Sequence, residues 1–289
     1  MADNRVDTEN TGDDKGHGDD KGKGDGSDKG RPPAYVPAHG LLAGRTAVLT
    51  AAAGTGIGGA TARRFLEEGA RIVVSDAHPR RLAETGAALV AEFGARAVTA
   101  LPCDVTDETQ VRALFARTAE EHGGLDIVVN NAGLGGTAAL VEMTDAQWDR
   151  VLDVTLNGTF RCVRAALRSF RAAGRPGVIV NNSSVLGWRA QAGQAHYAAA
   201  KAGVMALTRC AAIEAAEYGV RVNAVAPSLA AHPHLVKVTS AELLGELTAR
   251  EAFGRSAEPW EIANAIVFLA SDYSSYLTGE TVSVSSQRA

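Results

Sequence analysis

From residue 45 onward, short β-branched and apolar runs alternate with stretches of ten to twenty-odd residues that read as helices. The runs are Thr46–Thr50, Arg71–Ser75, Ala97–Leu101, Asp126–Asn130, Val178–Asn182 and Val220–Val225, and a weaker one, Thr281–Val284, closes the chain. Strands that are apolar throughout, separated by helices, predict a parallel sheet covered on both faces. Seven such strands fill the body, so the expected architecture is a single α/β domain over residues 45–289 with a doubly wound, seven-stranded parallel sheet. The stretch 228–256, between the sixth strand and a helix starting near Pro259, is too long for a plain connection and is expected to wall or cover a substrate.

Ahead of this domain the pattern is different. Residues 1–31 are Gly, Asp and Lys in near-repeats such as Gly12-Asp13-Asp14-Lys15-Gly16 and Gly18-Asp19-Asp20-Lys21-Gly22. With almost nothing apolar to bury, such a segment is expected to be disordered. Residues 32–44 are expected to form an extended lead-in.

The chemistry clusters at the predicted carboxyl ends of strands. The first strand runs into Ala51-Ala52-Ala53-Gly54-Thr55-Gly56-Ile57-Gly58-Gly59, a turn in which backbone amides and a helix N-terminus can approach a pyrophosphate. The second strand ends at Asp76, where a carboxylate accepts hydrogen bonds from an adenosine ribose and repels a 2′-phosphate. That placement favours NAD over NADP, although Asp76 also reads as a turn residue and Arg80 and Arg81 follow it closely. The fourth strand ends in Asn130-Asn131-Ala132-Gly133, in the crevice where open α/β sheets bind ligands.

Tyr197 and Lys201 stand four residues apart on one predicted helix face, with Ser184 thirteen residues upstream at a strand end. A nearby cation favours phenolate, so the tyrosine pKa is expected to fall from about 10 toward neutrality, suiting it to proton exchange with an alcohol/ketone pair. Four of the six lysines lie in the N-terminal segment, leaving Lys201 and Lys237 in a body that otherwise uses arginine. Arginine holds its proton too tightly to replace a lysine in a relay. On spacing alone, a chance Tyr-x-x-x-Lys in an amphipathic helix is the better explanation of the pair, and the rest of the chain reverses that.

Composition narrows the alternatives. With 46% hydrophobic residues, 21% charged residues and a net charge of −4, the chain gives no reason to expect a nucleic acid or a membrane as partner. Cys103, Cys162 and Cys210 are scattered and odd in number, reading as buried thiols in a reducing, cytoplasmic setting. His232-Pro233-His234 lacks a third ligand at a recognisable spacing, so no metal is assigned.

Taken in order, the glycine-rich turn, Asp76, Asp104-Val105, Asn130-Asn131-Ala132-Gly133, Ser184, Tyr197-x-x-x-Lys201 and Asn223-x-x-x-Pro227 resemble the short-chain dehydrogenase/reductase family, over roughly residues 41–285. The resemblance implies a Rossmann-like fold, an NAD cofactor, and hydride transfer between nicotinamide and a secondary alcohol or ketone. It implies catalytic roles for Ser184 (holding the substrate oxygen), Tyr197 (passing the proton) and Lys201 (binding the nicotinamide ribose and depressing the tyrosine pKa). Gly54, Gly56, Ile57, Gly58, Asp76, Asp104, Val105, Asn131, Ala132, Gly133, Tyr197, Lys201, Pro227 and Leu229 are the implied cofactor contacts. The second half looks most like bacterial 3-oxoacyl-thioester reductases and hydroxyacyl-CoA dehydrogenases, some of them acting in steroid degradation. A homotetramer or homodimer is implied, paired through helices at 145–172 and 196–217 whose outer faces are expected to carry Ala165, Ala206, Ala212 and Ile213. A cofactor-sensing protein with little turnover is the alternative.

Three departures from the family pattern stand out. Ala51 and Ala52 occupy the place of the first glycine; alanine resists positive φ, so the turn is expected to differ there. Thr155 stands where the family often has asparagine. It falls on the core-facing stripe of Trp148, Val151, Leu152, Thr159 and Val163, while Asn157 faces nearly the opposite way. Ser228 and Ala231 replace the usual glycine and threonine after the sixth strand.

The substrate is expected between Leu134–Leu140, Leu186–His196 and the 228–256 segment. Leu134, Leu186, Trp188 and His196 are the candidate contacts, with Leu229, Leu235, Val236 and Phe253 as further apolar walls suited to a bulky alicyclic or acyl group. Arg189, His232, His234 and Lys237 are candidates for meeting an anionic CoA handle, or else a solvated loop face.

Overall fold

The computed structural model describes residues 30–231 and 241–287. Seven parallel strands form one sheet: β1 (Thr46–Leu49), β2 (Arg71–Asp76), β3 (Val98–Pro102), β4 (Ile127–Asn130), β5 (Gly177–Asn182), β6 (Val220–Pro227) and β7 (Thr281–Val284), in the order β3-β2-β1-β4-β5-β6-β7. The order reverses between β1 and β4, which opens a crevice at their carboxyl ends. The helices are α1 (Ile57–Glu67), α2 (Pro79–Phe93), α3 (Glu108–His122), α4 (Asp145–Leu152), α5 (Gly158–Ala173), α6 (Ala195–Ala215), α7 (Ala241–Ala249) and α8 (Pro259–Ala270).

Alternation along each strand divides the core in two. Ala47, Leu49, Ile72, Val74, Ile127 and Val129 face one side and meet Phe65 of α1, Leu82 of α2 and Ile262 and Ile266 of α8. Val48, Val73, Val128, Ile179 and Val222 face the other and meet Val111 and Phe115 of α3, Val163 and Phe170 of α5 and Ala211 and Ala215 of α6. Each fully buried large side chain contributes about 1.5–3 kcal/mol, so both faces anchor the strand ends on which the site is built.

Local signals place the helix starts. His78 caps α2, its ring accepting from the Arg81 N–H, with Pro79 in the first turn. Thr144 and Gln147 form a capping box at α4, and Glu258 and Glu261 form one at α8. The lead-in is exposed coil through residue 40 and then turns over residues 41–44 instead of remaining extended. Buried Glu68 draws it in, accepting from the N–H groups of His39 (2.9 Å) and Leu41 (3.0 Å) and from Arg64 (2.6 Å).

Other local expectations need correction. The helix expected over 145–172 is interrupted by a π-turn at Asp153–Asn157. Cys103 and Cys162 are buried but Cys210 is exposed, because it lies off the face of α6 that meets the sheet. Ala212 is also misplaced in the expected outer face: it is 2% exposed and belongs to the core. The 228–256 stretch contains α7. Residues 1–29, where the disordered segment was expected, and His232, His234, Leu235, Val236 and Lys237 lie outside the described residues.

Candidate active site

The cradle at the carboxyl ends of β1, β4 and β5 is laced by short polar side chains. Thr50 Oγ1 accepts from the N–H groups of Asn131 (3.1 Å) and Ala132 (3.2 Å), tying β4's end to β1. Asn131 donates to the Ala51 carbonyl (3.0 Å) and accepts from the Asn182 amide (2.8 Å). This ladder explains a departure from expectation: Ala51 adopts φ +48°, the sole positive-φ non-glycine residue among those described. The turn keeps the left-handed geometry, and the Asn131 bond to the Ala51 carbonyl offsets the strain of placing alanine there.

Glycine is required at position 58. A Cβ there would fall 2.3 Å from the Ala51 carbonyl and 2.5 Å from Asn131 Nδ2, so α1 presses directly on the strand ends. Gly56, the N-cap residue of α1, provides no side-chain cap. The first-turn N–H groups of α1 are therefore left to meet an anionic ligand, beside Gly54 and Ile57.

Asp76 ends β2 and is 3% exposed. Its Oδ1 accepts from the His78 N–H (2.9 Å) and from Arg81 (2.8 Å), whereas Oδ2 is buried without a partner. An orphaned buried carboxylate oxygen costs about 1–3 kcal/mol unless something supplies a hydrogen, and a ribose hydroxyl fits that need. Asp104 is held by the backbone N–H and hydroxyl of Thr106 (2.9 and 2.8 Å). The side chain of Val105 is core, in contact range of Gly158 on α5, and its carbonyl accepts from Arg161 (3.4 Å). Its backbone N–H alone remains for a ligand. Pro227 ends β6, and Leu229 follows with its N–H on buried Glu251 (3.3 Å). Asn223 serves the fold, clasping the Leu277 carbonyl and the Glu280 N–H (2.8 and 3.0 Å).

Ser184, Tyr197 and Lys201 meet across the crevice from this cradle. Ser184 is extended and caps a 3-10 turn over Val185–Gly187, its Oγ accepting from the Leu186 N–H (3.2 Å). That bond consumes a lone pair of the oxygen, and the hydroxyl also shares a hydrogen bond with the Tyr197 phenol. Lys201 is 3% exposed, donates to the Asn182 carbonyl at 2.6 Å and lies 5.5 Å from the centre of the Tyr197 ring. Burial pushes its pKa down from 10.5 to about 8. The Tyr197 phenol does not follow the expected direction. Burial raises its pKa, and the hydrogen bond with Ser184 opposes that rise without cancelling it. The cost of taking phenolate out of water dominates, and a lysine that itself sheds its proton readily gives weak charge support.

Gly133 brings the loop after β4 onto this group: a Cβ there would sit 3.3 Å from Lys201 Nζ and 3.8 Å from Thr155 Oγ1. Thr155 is fully buried, as its stripe predicts. One hydroxyl serves both backbone groups of Leu134, accepting from its N–H (3.0 Å) and donating to its carbonyl (3.2 Å). The clasp comes from the π-turn, whose extra residue per turn was invisible to a 3.6-residue periodicity. Asn157 points elsewhere, to Asp153 (3.2 Å).

The two expected walls touch one another. Ala138 donates to the Gly193 carbonyl (3.1 Å) and Gln194 to Thr137 (3.1 Å). Buried His196 accepts from the Tyr197 N–H (2.9 Å), and its Nε2 lies close to Gly136. Leu134 and Leu186 are partly buried, while Trp188 (52% exposed) and Leu140 (68%) present apolar surface to solvent. Phe253, expected in the wall, is 65% exposed. Sequence reasoning passed over Asn182, which holds both Asn131 and Lys201. A second asparagine at the end of an apolar strand, in Val180-Asn181-Asn182-Ser183, was the available signal.

Known proteins are similar to this chain over most of its length. Residues 51–286 match the family model described as enoyl-(acyl carrier protein) reductase. A Mycobacterium tuberculosis protein named (5R,7aS)-5-hydroxy-7a-methyl-1-oxo-2,3,5,6,7,7a-hexahydro-1H-indene-carboxyl-CoA reductase is 65% identical over 255 residues, covering 88% of this chain and 97% of the relative. The cis-4-hydroxycyclohexanecarboxylate dehydrogenase of Sinomonas cyclohexanicum is 46% identical, with 83% and 94% covered. Among solved structures, a short chain dehydrogenase from Mycobacterium smegmatis is 59% identical and superposes with a TM-score of 0.80 over 90% of this chain and 99% of that one. The chain belongs to the short-chain dehydrogenase/reductase family, an oxidoreductase of the alcohol/ketone type that uses a nicotinamide dinucleotide.

Proposed function

We propose that the protein interconverts a secondary alcohol and a ketone on a bulky alicyclic acyl-CoA thioester, with NAD as the preferred cofactor. The observation that carries the chemistry is the convergence of the Ser184 hydroxyl, the Tyr197 phenol bonded to it and the buried amine of Lys201, across the crevice from the cradle that Asp76 lines. Bound NAD supplies the hydride acceptor at nicotinamide C4. Ser184 donates a hydrogen bond to the substrate oxygen. In the reductive direction the Tyr197 phenol gives its proton to the carbonyl oxygen as the carbon–oxygen double bond becomes single; in the oxidative direction its phenolate form takes the hydroxyl proton as the carbon–hydrogen bond breaks and the double bond forms. Lys201, held by the Asn182 carbonyl, sits where it can stabilise the ionised phenol and hold the nicotinamide ribose.

Substrate class rests on the apolar surface and on the relatives. Leu134, Leu186 and Trp188 with Leu140 offer an apolar face to a ring system, and His196 walls its inner end. Arg189 follows Trp188, and its hydrogen-bond partner is the neutral amide of Gln287, so its charge is available to a CoA phosphate. The 65% relative acts on a bicyclic carboxyl-CoA and the 46% relative on a hydroxycyclohexane acid. The protein acts as a homo-oligomer in the cytoplasm, paired through α5 and α6, where Ile213 is 80% exposed. Among the described residues no helix is long and apolar enough to cross a membrane.

A screen monitored by NADH and NADPH absorbance tests this reading, comparing alicyclic hydroxyacyl-CoA thioesters with the free hydroxy acids and simple cyclic alcohols. The thioesters are expected to give the highest kcat/KM with NAD. Turnover of the free acids or alcohols alone would remove the thioester, and a strong preference for NADP would remove the argument from Asp76.

A further inference from the structure

α6 begins at Ala195 without a side-chain cap from Gln194, so its first-turn N–H groups need other partners. His196 serves one of them from within the turn, its Nδ1 accepting from the Tyr197 N–H at 2.9 Å. A neutral imidazole that accepts at Nδ1 carries its proton at Nε2. The residue is 2% exposed, and among the described residues Nε2 has no hydrogen-bond partner. The facing wall supplies space for one. Gly135 and Gly136 lie against Tyr197 and His196 in turn: a Cβ on Gly135 would stand 3.8 Å from Tyr197 Cδ2, and one on Gly136 would stand 3.5 Å from His196 Nε2. With glycine at both positions, an atom-sized space stays open before each ring. An oxygen entering the space before Nε2 comes within hydrogen-bond range, about 2.7–3.2 Å. Consecutive Cα atoms are about 3.8 Å apart, so both spaces fall within the span of one fused ring system.

We infer that His196 is a specificity-determining residue whose Nε2–H donates to a second oxygen of the alicyclic substrate, carried on the ring system away from the reacting carbon. The inference rests on the alicyclic reading of the substrate but not on the thioester. Ser184 and Tyr197 hold the reacting oxygen, and His196 holds the other, so the ring system is fixed at two points and cannot reverse in the slot. A ring with a methylene at the second point leaves a buried donor unpaired and is disfavoured for that reason. The bare backbone of Gly136 is part of the same device, because a side chain there would occupy the place of the second oxygen.

Four compounds test this: a bicyclic hydroxy acid with a ring ketone remote from its hydroxyl, the same acid with a methylene in place of that ketone, and the CoA thioester of each. They are compared by kcat/KM for oxidation with NAD and with NADP, a direction in which the ring ketone takes no part. Wild type is expected to favour the ketone of each pair by about 5- to 150-fold, the cost of leaving a buried donor unpaired. His196→Asn sets an amide oxygen near the Nδ1 position for the Tyr197 N–H and does not reach the Nε2 position, so the ketone-to-methylene ratio is expected to fall below about threefold. His196→Gln, whose amide N–H does reach it, is expected to restore part of the ratio. Gly136→Ala places a methyl at ordinary contact distance from Nε2 without a positive φ, and is expected to lower the ratio by filling the space. Tm values and NADH Kd values check that the variants are folded. A wild-type ratio near one, or a ratio that His196→Asn leaves unchanged, would overturn the inference. Faster oxidation of the free acids than of the thioesters counts against the thioester alone, and the ketone-to-methylene ratio still decides the role of His196. Oxidation of none of the four overturns both.

Discussion

At the scale of single residues the proposed proton path depends on burial more than on spacing. Tyr197 and Lys201 are legible because a four-residue separation on a helix is local information. Their protonation was not legible, since it follows from how much protein surrounds them. Tyr197→Phe is expected to lower kcat by about 10²–10⁴-fold, the usual contribution of a general acid–base group, while NADH still binds; a fully active variant would dismiss the assignment. Lys201 gives a stability signature with a definite sign. Its folded pKa of about 8 lies below the unfolded value of 10.5. The unfolded chain therefore holds more protons between those values, so stability rises with pH across that window and the lysine costs stability below it. Lys201→Met is expected to lose turnover yet melt at a higher temperature than wild type at pH 7, with the difference shrinking toward pH 10.

At the scale of elements, the π-turn between α4 and α5 sets the loop that closes over Lys201. Thr155 was legible as a buried position but not as a clasp. Periodicity reports which face a residue occupies, and only the widened turn brings its hydroxyl to both polar groups of Leu134. Thr155→Ala leaves those groups unpaired and is expected to cost about 1–3 kcal/mol in denaturant unfolding, with Thr155→Ser costing less. If Thr155→Ala unfolds with the wild-type midpoint and slope, water replaces the clasp without penalty. Ala51 shows the same limit from the other side. Its residue type argued against positive φ, but the Asn182–Asn131–Ala51 ladder, assembled from three strand ends, holds it there.

For the whole molecule, Glu68 joins the lead-in to α1. Burial pushes its pKa up, but the N–H groups of Leu41 and His39, and then the Arg64 charge, outweigh that and hold it below 4.5. A carboxylate with a depressed folded pKa adds stability that is present above the unfolded value and lost as pH falls through the folded one. Glu68→Ala is expected to cost about 3–5 kcal/mol at pH 7, the cost of breaking a buried pair, and to flatten the acid limb of the stability curve; an unchanged acid limb would show that Glu68 is not the group responsible. Assembly is tested by Ile213→Glu, for which light scattering is expected to report a smaller species at unchanged helicity; an unchanged mass would place the interface elsewhere.

The sequence by itself determined the strand–helix alternation, the seven-stranded parallel sheet and the positions of the glycine-rich turn, Asp76, Ser184, Tyr197 and Lys201. All of these follow from local periodicity and from residue types with few conformational alternatives. Tertiary structure alone decided the left-handed Ala51, the clasp of Thr155, the core role of Val105, the orphaned oxygen of Asp76 with Arg81 on its other oxygen, and the raised phenol beside a depressed amine. Each of those depends on groups distant in the chain sharing one desolvated volume, and the energy of a polar group there is set by its partners and its access to water, neither of which is written in its neighbours along the chain.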